Sequence, residues 1–282
     1  MIDALLNFDF IRYSLISGLL IGFIAPLIGA FIVVRRLSLI ADALSHVTLG
    51  GISFGMFLLT IIPVFSVINP MWFGILFAVI GALLIEKLRT SFSNYQEIAI
   101  PIIMSAGIAL SAIFISLADG FNQEIVGLLF GSISAVNISD LTTIIIIAII
   151  VLIFIVLFYK ELFILSFDEE YSKVIGIPKW IQFLFIVIVA MVISASMRVV
   201  GILLVSALIT LPIAISMRIT KGFKQLIALS VILGELSVIL GLIIAFYMNI
   251  SPGGVIVVLL VLMLILTMII QKLKIKFKKG VV

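Results

Sequence analysis

A bundle of membrane-crossing α-helices follows from three features of this sequence. Hydrophobic residues fill 65% of the 282 positions, charged residues only 11%, and the mean hydropathy is +1.51; no water-soluble core can bury that much apolar surface. The apolar residues come in runs of about 17 to 25, long enough to cross a hydrocarbon layer of about 30 Å. The basic residues gather in alternate connections between those runs, as in a polytopic protein of fixed orientation. The expected fold is all-α, one transmembrane domain over 1–282 with eight to nine membrane helices.

In chain order the runs lie near 11–34, 41–62, 70–88, 97–118, 141–159, 180–197, 199–217, 225–247 and 255–271. The run 199–217 follows Arg198 with almost no loop and contains Pro212, so it is expected to be a broken helix or to reduce the number to eight. Fifteen of the seventeen Lys and Arg fall on one side, at 35–36, 87–89, 160–179, 218–224 and 272–279. Only Arg12 and Arg198 fall on the other. The positive-inside rule then puts the N-terminus outside and the C-terminal KLKIKFKKG in the cytoplasm, which an odd number of crossings satisfies. That tail is a topology anchor or a contact for anionic membrane lipid. The start, MIDALLNFDFIRYSL, carries two acids and one Arg and does not read as a cleaved signal peptide.

Three connections hold more than turn residues. The external stretch 119–140 is too short and too interrupted by Gly to span, yet its GLLFGSIS centre is apolar; it is expected to lie along the outer face or re-enter it. The cytoplasmic stretch 160–179 reads as a short amphipathic helix. Asp168, Glu169 and Glu170 sit at its start, where acids suit the helix dipole, and Gly176 with Pro178 ends it. SPGG at 251–254 reads as a tight external turn.

Composition removes several functions. With no Cys there is no disulfide, thiolate ligand or Cys nucleophile, and a single His excludes a His-rich zinc or haem site. The net charge of +4 reflects membrane sidedness rather than nucleic-acid binding. Neither H-E-x-x-H nor a nucleophile-base pair points to an intramembrane enzyme. No G-x-x-x-x-G-K-S/T motif occurs and no cytoplasmic segment could house an ATPase domain.

What remains are ionisable groups at membrane depth, which are costly there and mark pathways or binding sites. The only histidine, His46, follows Asp42 by four residues, so both side chains share one helix face and a carboxylate and an imidazole can converge on a divalent ion. The competing reading makes Asp42 a helix cap and His46 a hydrogen-bonded interior residue. Glu235 is the only acid in the middle of a late span. Counted along the helix, it lies roughly 16 Å deep and His46 roughly 12 Å deep. Asp42, His46 and Glu235 are therefore expected to form one near-midplane metal site; otherwise Glu235 hydrogen-bonds a neighbouring helix. In the other transport reading, a secondary transporter of a small solute, Asp42 and Glu235 would relay protons.

Taken together, RRLSLIADALSH, LFGSIS, FDEEYSKVIGIP, VVGILLVSALITLPIAISMRI and SPGG resemble the permease subunits of bacterial ABC importers for zinc and manganese. The resemblance implies a homodimeric type II permease in the bacterial cytoplasmic membrane, similar to the cobalamin importer permease without its first helix. It implies two cytoplasmic ATP-binding subunits, an extracytoplasmic metal-binding protein, no permanently bound cofactor, and a transported divalent metal, with zinc placed before manganese. By resemblance Asp42 and His46 fall on the metal-coordinating helix, and Asp168, Glu169, Glu170, Gly176 and Pro178 on the loop that couples to the ATPase. Glu235 lies where the family often places another polar ligand. Many relatives have Pro after the Leu of this motif, where this chain reads Leu49-Gly50-Gly51.

Overall fold

The computed structural model describes residues 7–62, 69–92, 95–118, 123–132 and 136–279. Among them the chain forms twelve α-helices and no strand. α1 (Asp9–Val34) and α2 (Leu39–Ile61) meet at a tight corner. There Leu37 N donates to Ile32 O and Arg36 N to Val33 O, a Schellman end whose left-handed residue is Arg36 at φ 59°. α3 (Met71–Ser91) leads through a 3-10 turn (Gln96–Ile98) into α4 (Ala99–Leu117). The short α5 (Gln123–Phe130) precedes α6 (Ile138–Leu157), after which α7 (Tyr159–Phe167) and α8 (Glu169–Ile175) follow. The chain ends with α9 (Lys179–Val200), α10 (Ile202–Ile219), α11 (Phe223–Met248) and α12 (Pro252–Lys279).

Among the described residues eight helices are long and apolar enough to cross a membrane: α1, α2, α3, α4 with its 3-10 turn, α6, α9, α11 and α12. The helix that separates eight from nine is α10, whose apolar stretch Leu204–Ile219 is shorter. The break before it falls at Gly201 and not at Arg198. Gly201 takes φ 89° and ψ 150°, which a residue with a Cβ adopts at high cost, and so α9 continues three residues past the expected end. One other expectation is extended and one corrected. The 160–179 connection holds the expected short helix at 169–175 and a further one before it: α7 follows α6 after a single break at Phe158 and packs back on α1. SPGG is no turn, since Pro252 opens α12, where a missing N–H and a preset φ suit the first helical position. The bend lies just before it, at Asn249 with φ 52°.

Small residues let the backbones meet. In lipid, helix pairing relies on close van der Waals packing rather than on a hydrophobic force. A Cβ on Gly22 of α1 would stand 3.1 Å from a Val238 methyl of α11, and one on Gly234 only 2.6 Å from Gly22 O. A Cβ on Gly29 would come within 2.2 Å of Ile209 O on α10. At the basic end Phe31 of α1 gathers Tyr159, Phe185 and Phe223, with ring centroids 5.2 to 6.3 Å away, pinning α7, α9 and α11 to the central helix. At the opposite end Ile125 and Leu128 of α5 are buried, and this short helix packs on α9, α10 and α12. Residues 119–122 and 133–135 of the expected external segment, including part of LFGSIS, lie outside the described residues.

Candidate functional site

α2 begins at Leu39, with Ser38 as N-cap making no side-chain cap bond, so His46 stands seven residues into the helix, about 10 Å along it. Three sides of this helix are engaged. Toward α4, a Cβ on Gly107 would lie 2.7 Å from Val47 N, and Ser111 Oγ donates to His46 O at 3.1 Å. Toward α3, a Cβ on Gly51 would lie 2.5 Å from Phe73 O. Toward α9, Thr48 Oγ1 and Ser194 Oγ are 3.2 Å apart. Between Leu39 and Gly50 only Leu39, Asp42 and His46 are not buried, and their spacing sets them in one stripe of the helix. Neither the Asp42 carboxylate nor the His46 ring has a hydrogen-bond partner among the described residues. Neither is therefore the cap or the hydrogen-bonded interior residue of the competing reading. An oxygen donor and a nitrogen donor, one turn apart and half-buried, are left open to a ligand.

The structure does not bring Glu235 to this pair. Glu235 is half-buried on α11, twelve residues or about 18 Å from that helix's start. α11 packs chiefly on α1, α12 and α10, and α2 chiefly on α4, α3, α10 and α9. α10 therefore stands between the two helices. Among the described residues no group of three or more His, Asp and Glu side chains is placed to hold a metal ion.

The segment 168–178 takes the expected form at both ends. Asp168 is the N-cap of α8, its Oδ1 accepting from Tyr171 N at 2.8 Å. Glu169 is the first helical residue, and Glu170 follows it in the first turn, where its charge suits the exposed amides. Gly176 closes the helix at φ 82°, and Pro178 is the N-cap of α9. Tyr171, Val174 and Ile175 on this short helix are exposed, so α8 projects from the basic end with an apolar surface that no described residue covers.

Sequence reasoning missed two polar clusters that fix the helices around the pair. At the end opposite the basic loops, Arg198 Nη1 donates to Asp140 Oδ2 at 3.1 Å and Nη2 reaches Asn69 Oδ1 at 3.5 Å, joining α9, α6 and the start of α3. Asp140 is 1% exposed and also completes a capping box with Asn137. At the basic end Gln182 Nε2 donates to Glu86 Oε1 at 2.6 Å, while Arg89 bonds both Glu86 Oε2 and Gln96 Oε1. The available signal was Arg198, a cation placed against the basic bias; Glu86 gave none, standing at the end of a span.

The ABC 3 transport family matches residues 7–271 of this chain. A probable metal transport system membrane protein of Treponema pallidum is 32% identical over 94% of this chain and 98% of that protein. The manganese transport system membrane protein MntC of Listeria monocytogenes is 30% identical over 91% of this chain and 89% of its own. Among solved structures, PsaBC from Streptococcus pneumoniae in complex with Fab superposes with a TM-score of 0.81, at 30% identity over 94% of this chain and 93% of that one. A metal-chelate type ABC transporter in an inward-facing conformation shares the fold, with a TM-score of 0.63 at 17% identity over 87% of this chain and 81% of the other.

Proposed function

The chain belongs to the ABC 3 transport family, and from that membership we propose that it is the membrane-spanning permease of an ATP-driven importer for a divalent transition metal. The observation that carries this reading is the Asp42–His46 pair, one helical turn apart on the single stripe of the first half of α2 that packing leaves open. A carboxylate oxygen and a neutral imidazole suit manganese and zinc alike. We place manganese first, because similar proteins of Listeria monocytogenes and Streptococcus gordonii are named for manganese; this reverses the order expected from the sequence.

One Asp and one His do not complete the coordination shell of such an ion. A homodimer would supply a second pair, giving two carboxylates and two imidazoles across a two-fold axis. The outer face of α4 supports a second copy beside the pair: Ser105, Ala109, Ala112 and Ser116 are exposed on it at helical spacing, and small residues allow helices to approach closely. Glu235 stands outside this arrangement within one protomer, and the proton-relay reading that pairs it with Asp42 is not favoured.

The basic end is cytoplasmic in this reading. α8 docks there in an ATP-binding subunit, of which the dimer takes two, through the exposed Tyr171, Val174 and Ile175. An extracytoplasmic metal-binding protein delivers the ion at the opposite end. No cofactor is held permanently; the metal is cargo, bound long enough to lose its water and released when the helices move. The test is uptake of radioactive manganese and zinc into proteoliposomes holding the permease with its ATP-binding subunits. Metal accumulation that requires ATP supports the proposal; accumulation driven by a proton gradient without ATP overturns it.

A further inference from the structure

α9 is the helix that α8 leads into, with only Gly176 to Pro178 between them. Any displacement of α8 is therefore delivered first to the start of α9. Over its 22 residues α9 has polar ties at three levels. Gln182, in its first turn, bonds Glu86 of α3; Arg198, in its last turn, bonds Asp140 of α6 and Asn69 ahead of α3. These end ties hold α9 to its supporting helices. The middle tie goes elsewhere.

Ser194 Oγ lies 3.2 Å from Thr48 Oγ1 of α2, and both side chains are fully buried. Among the described residues it is the one hydrogen bond between α9 and α2, and Thr48 sits half a turn beyond His46. The same Thr48 hydroxyl also bonds Leu44 O at 2.7 Å, a carbonyl that lies between Asp42 and His46 in the chain. On the other side of α2 the His46 carbonyl is held by Ser111 of α4. The backbone of the open pair is thus gripped from two sides, and the α9 side alone leads to α8.

We propose that the Thr48–Ser194 hydrogen bond is the joint through which the coupling helix sets the position of the Asp42–His46 pair, with Thr48 and Ser194 as positioning residues. This rests on the permease reading above. A hydrogen bond between membrane helices adds little to stability, so its loss leaves the fold standing and acts on transmission. Thr48→Val is close to a shape copy: it keeps the methyl that a Cβ on Gly74 would meet at 3.0 Å and removes only the hydroxyl.

The experiment uses the complete complex of permease and ATP-binding subunits in proteoliposomes and measures metal moved per ATP hydrolysed, with the thermal midpoint as a check on folding. Thr48→Val and Ser194→Ala are each expected to lower that ratio by about fivefold or more while ATPase binding and midpoint stay near those of the unmodified complex. The double variant should be no worse than the worse single one, since both remove the same joint, and Thr48→Ser should restore the ratio. An unchanged ratio in either single variant, or additive losses in the double, overturns the proposal. Gly176→Val serves as the reference. Full coupling in Thr48→Val beside an uncoupled Gly176→Val removes the joint alone; full coupling in both removes the coupling helix from the account.

Discussion

Replacing Gly107 by Ala should disturb α2 around His46 more than it destabilises the protein. The new Cβ would lie 2.7 Å from Val47 N, 2.8 Å from Val47 Cγ2 and 3.0 Å from the His46 carbonyl carbon. Comfortable separations are about 3.5 Å or more, so α4 must withdraw by about 0.5 to 1 Å, because two of the three obstacles are backbone. Ser111 is one turn further along α4 and withdraws with it. Its 3.1 Å bond to His46 O then passes the limit of a hydrogen bond. Overpacking of this kind costs about 1–3 kcal/mol, and Ala in place of Gly within a helix returns about 1 kcal/mol. The net loss leaves the bundle folded. The local result is an α2 backbone released at the residue that carries the imidazole, and we expect uptake of manganese to fall about tenfold, equivalent to about 1.4 kcal/mol of misplaced ligand. The assay is ATP-dependent uptake beside a thermal midpoint. Gly127→Ala, whose Cβ would meet only Ser132 Cβ at 3.7 Å among the described residues, is the control for inserting a methyl. Normal uptake by Gly107→Ala would refute the claim that α4 fixes His46.

Three further outcomes follow from the geometry. Arg36 holds φ 59° at a helix end where Gly carries no Cβ strain, so Arg36→Gly should raise the thermal midpoint by the equivalent of about 1 kcal/mol; a lowered midpoint would mean that the arginine side chain is needed there. Asp140→Ala removes the carboxylate from the 13%-exposed Arg198 side chain and should cost about 3–5 kcal/mol, read as sensitivity to heat or protease, and Arg198→Leu added to it should recover part of the loss. A Cβ on Gly176 would meet no described atom within 4 Å, so Gly176→Val acts chiefly through φ 82°. It should reorient α8 and lower recovery of the ATP-binding subunit on pull-down with little change in permease yield; unaltered recovery would place the docking surface elsewhere.

Much of the fold was legible because membrane depth is written in run lengths, and because caps are short-range chemistry. The ends of α8 could be read from Asp168, Gly176 and Pro178, since a side-chain oxygen, a left-handed residue and a residue without N–H each have a local job. The Asp42–His46 pair was legible for the same reason, as a spacing along one helix. Glu235 was misplaced because counting depth along two helices says nothing about what stands between them, and here α10 does. The break at Gly201 was read three residues early because Arg198 looked like a loop residue, whereas its charge is held by Asp140 at the start of α6. Thr48–Ser194 joins residues 146 positions apart, and no local pattern distinguishes those hydroxyls from the other buried Ser and Thr.

Equilibrium binding of manganese to the purified permease, followed by loss of the free ion's paramagnetic resonance signal, tests most directly whether Asp42 and His46 hold the cargo. The account predicts saturable binding by the unmodified permease, its loss in Asp42→Ala and in His46→Ala, and its retention in Glu235→Gln. Binding that survives in both Asp42→Ala and His46→Ala, or that disappears with Glu235→Gln alone, would contradict it.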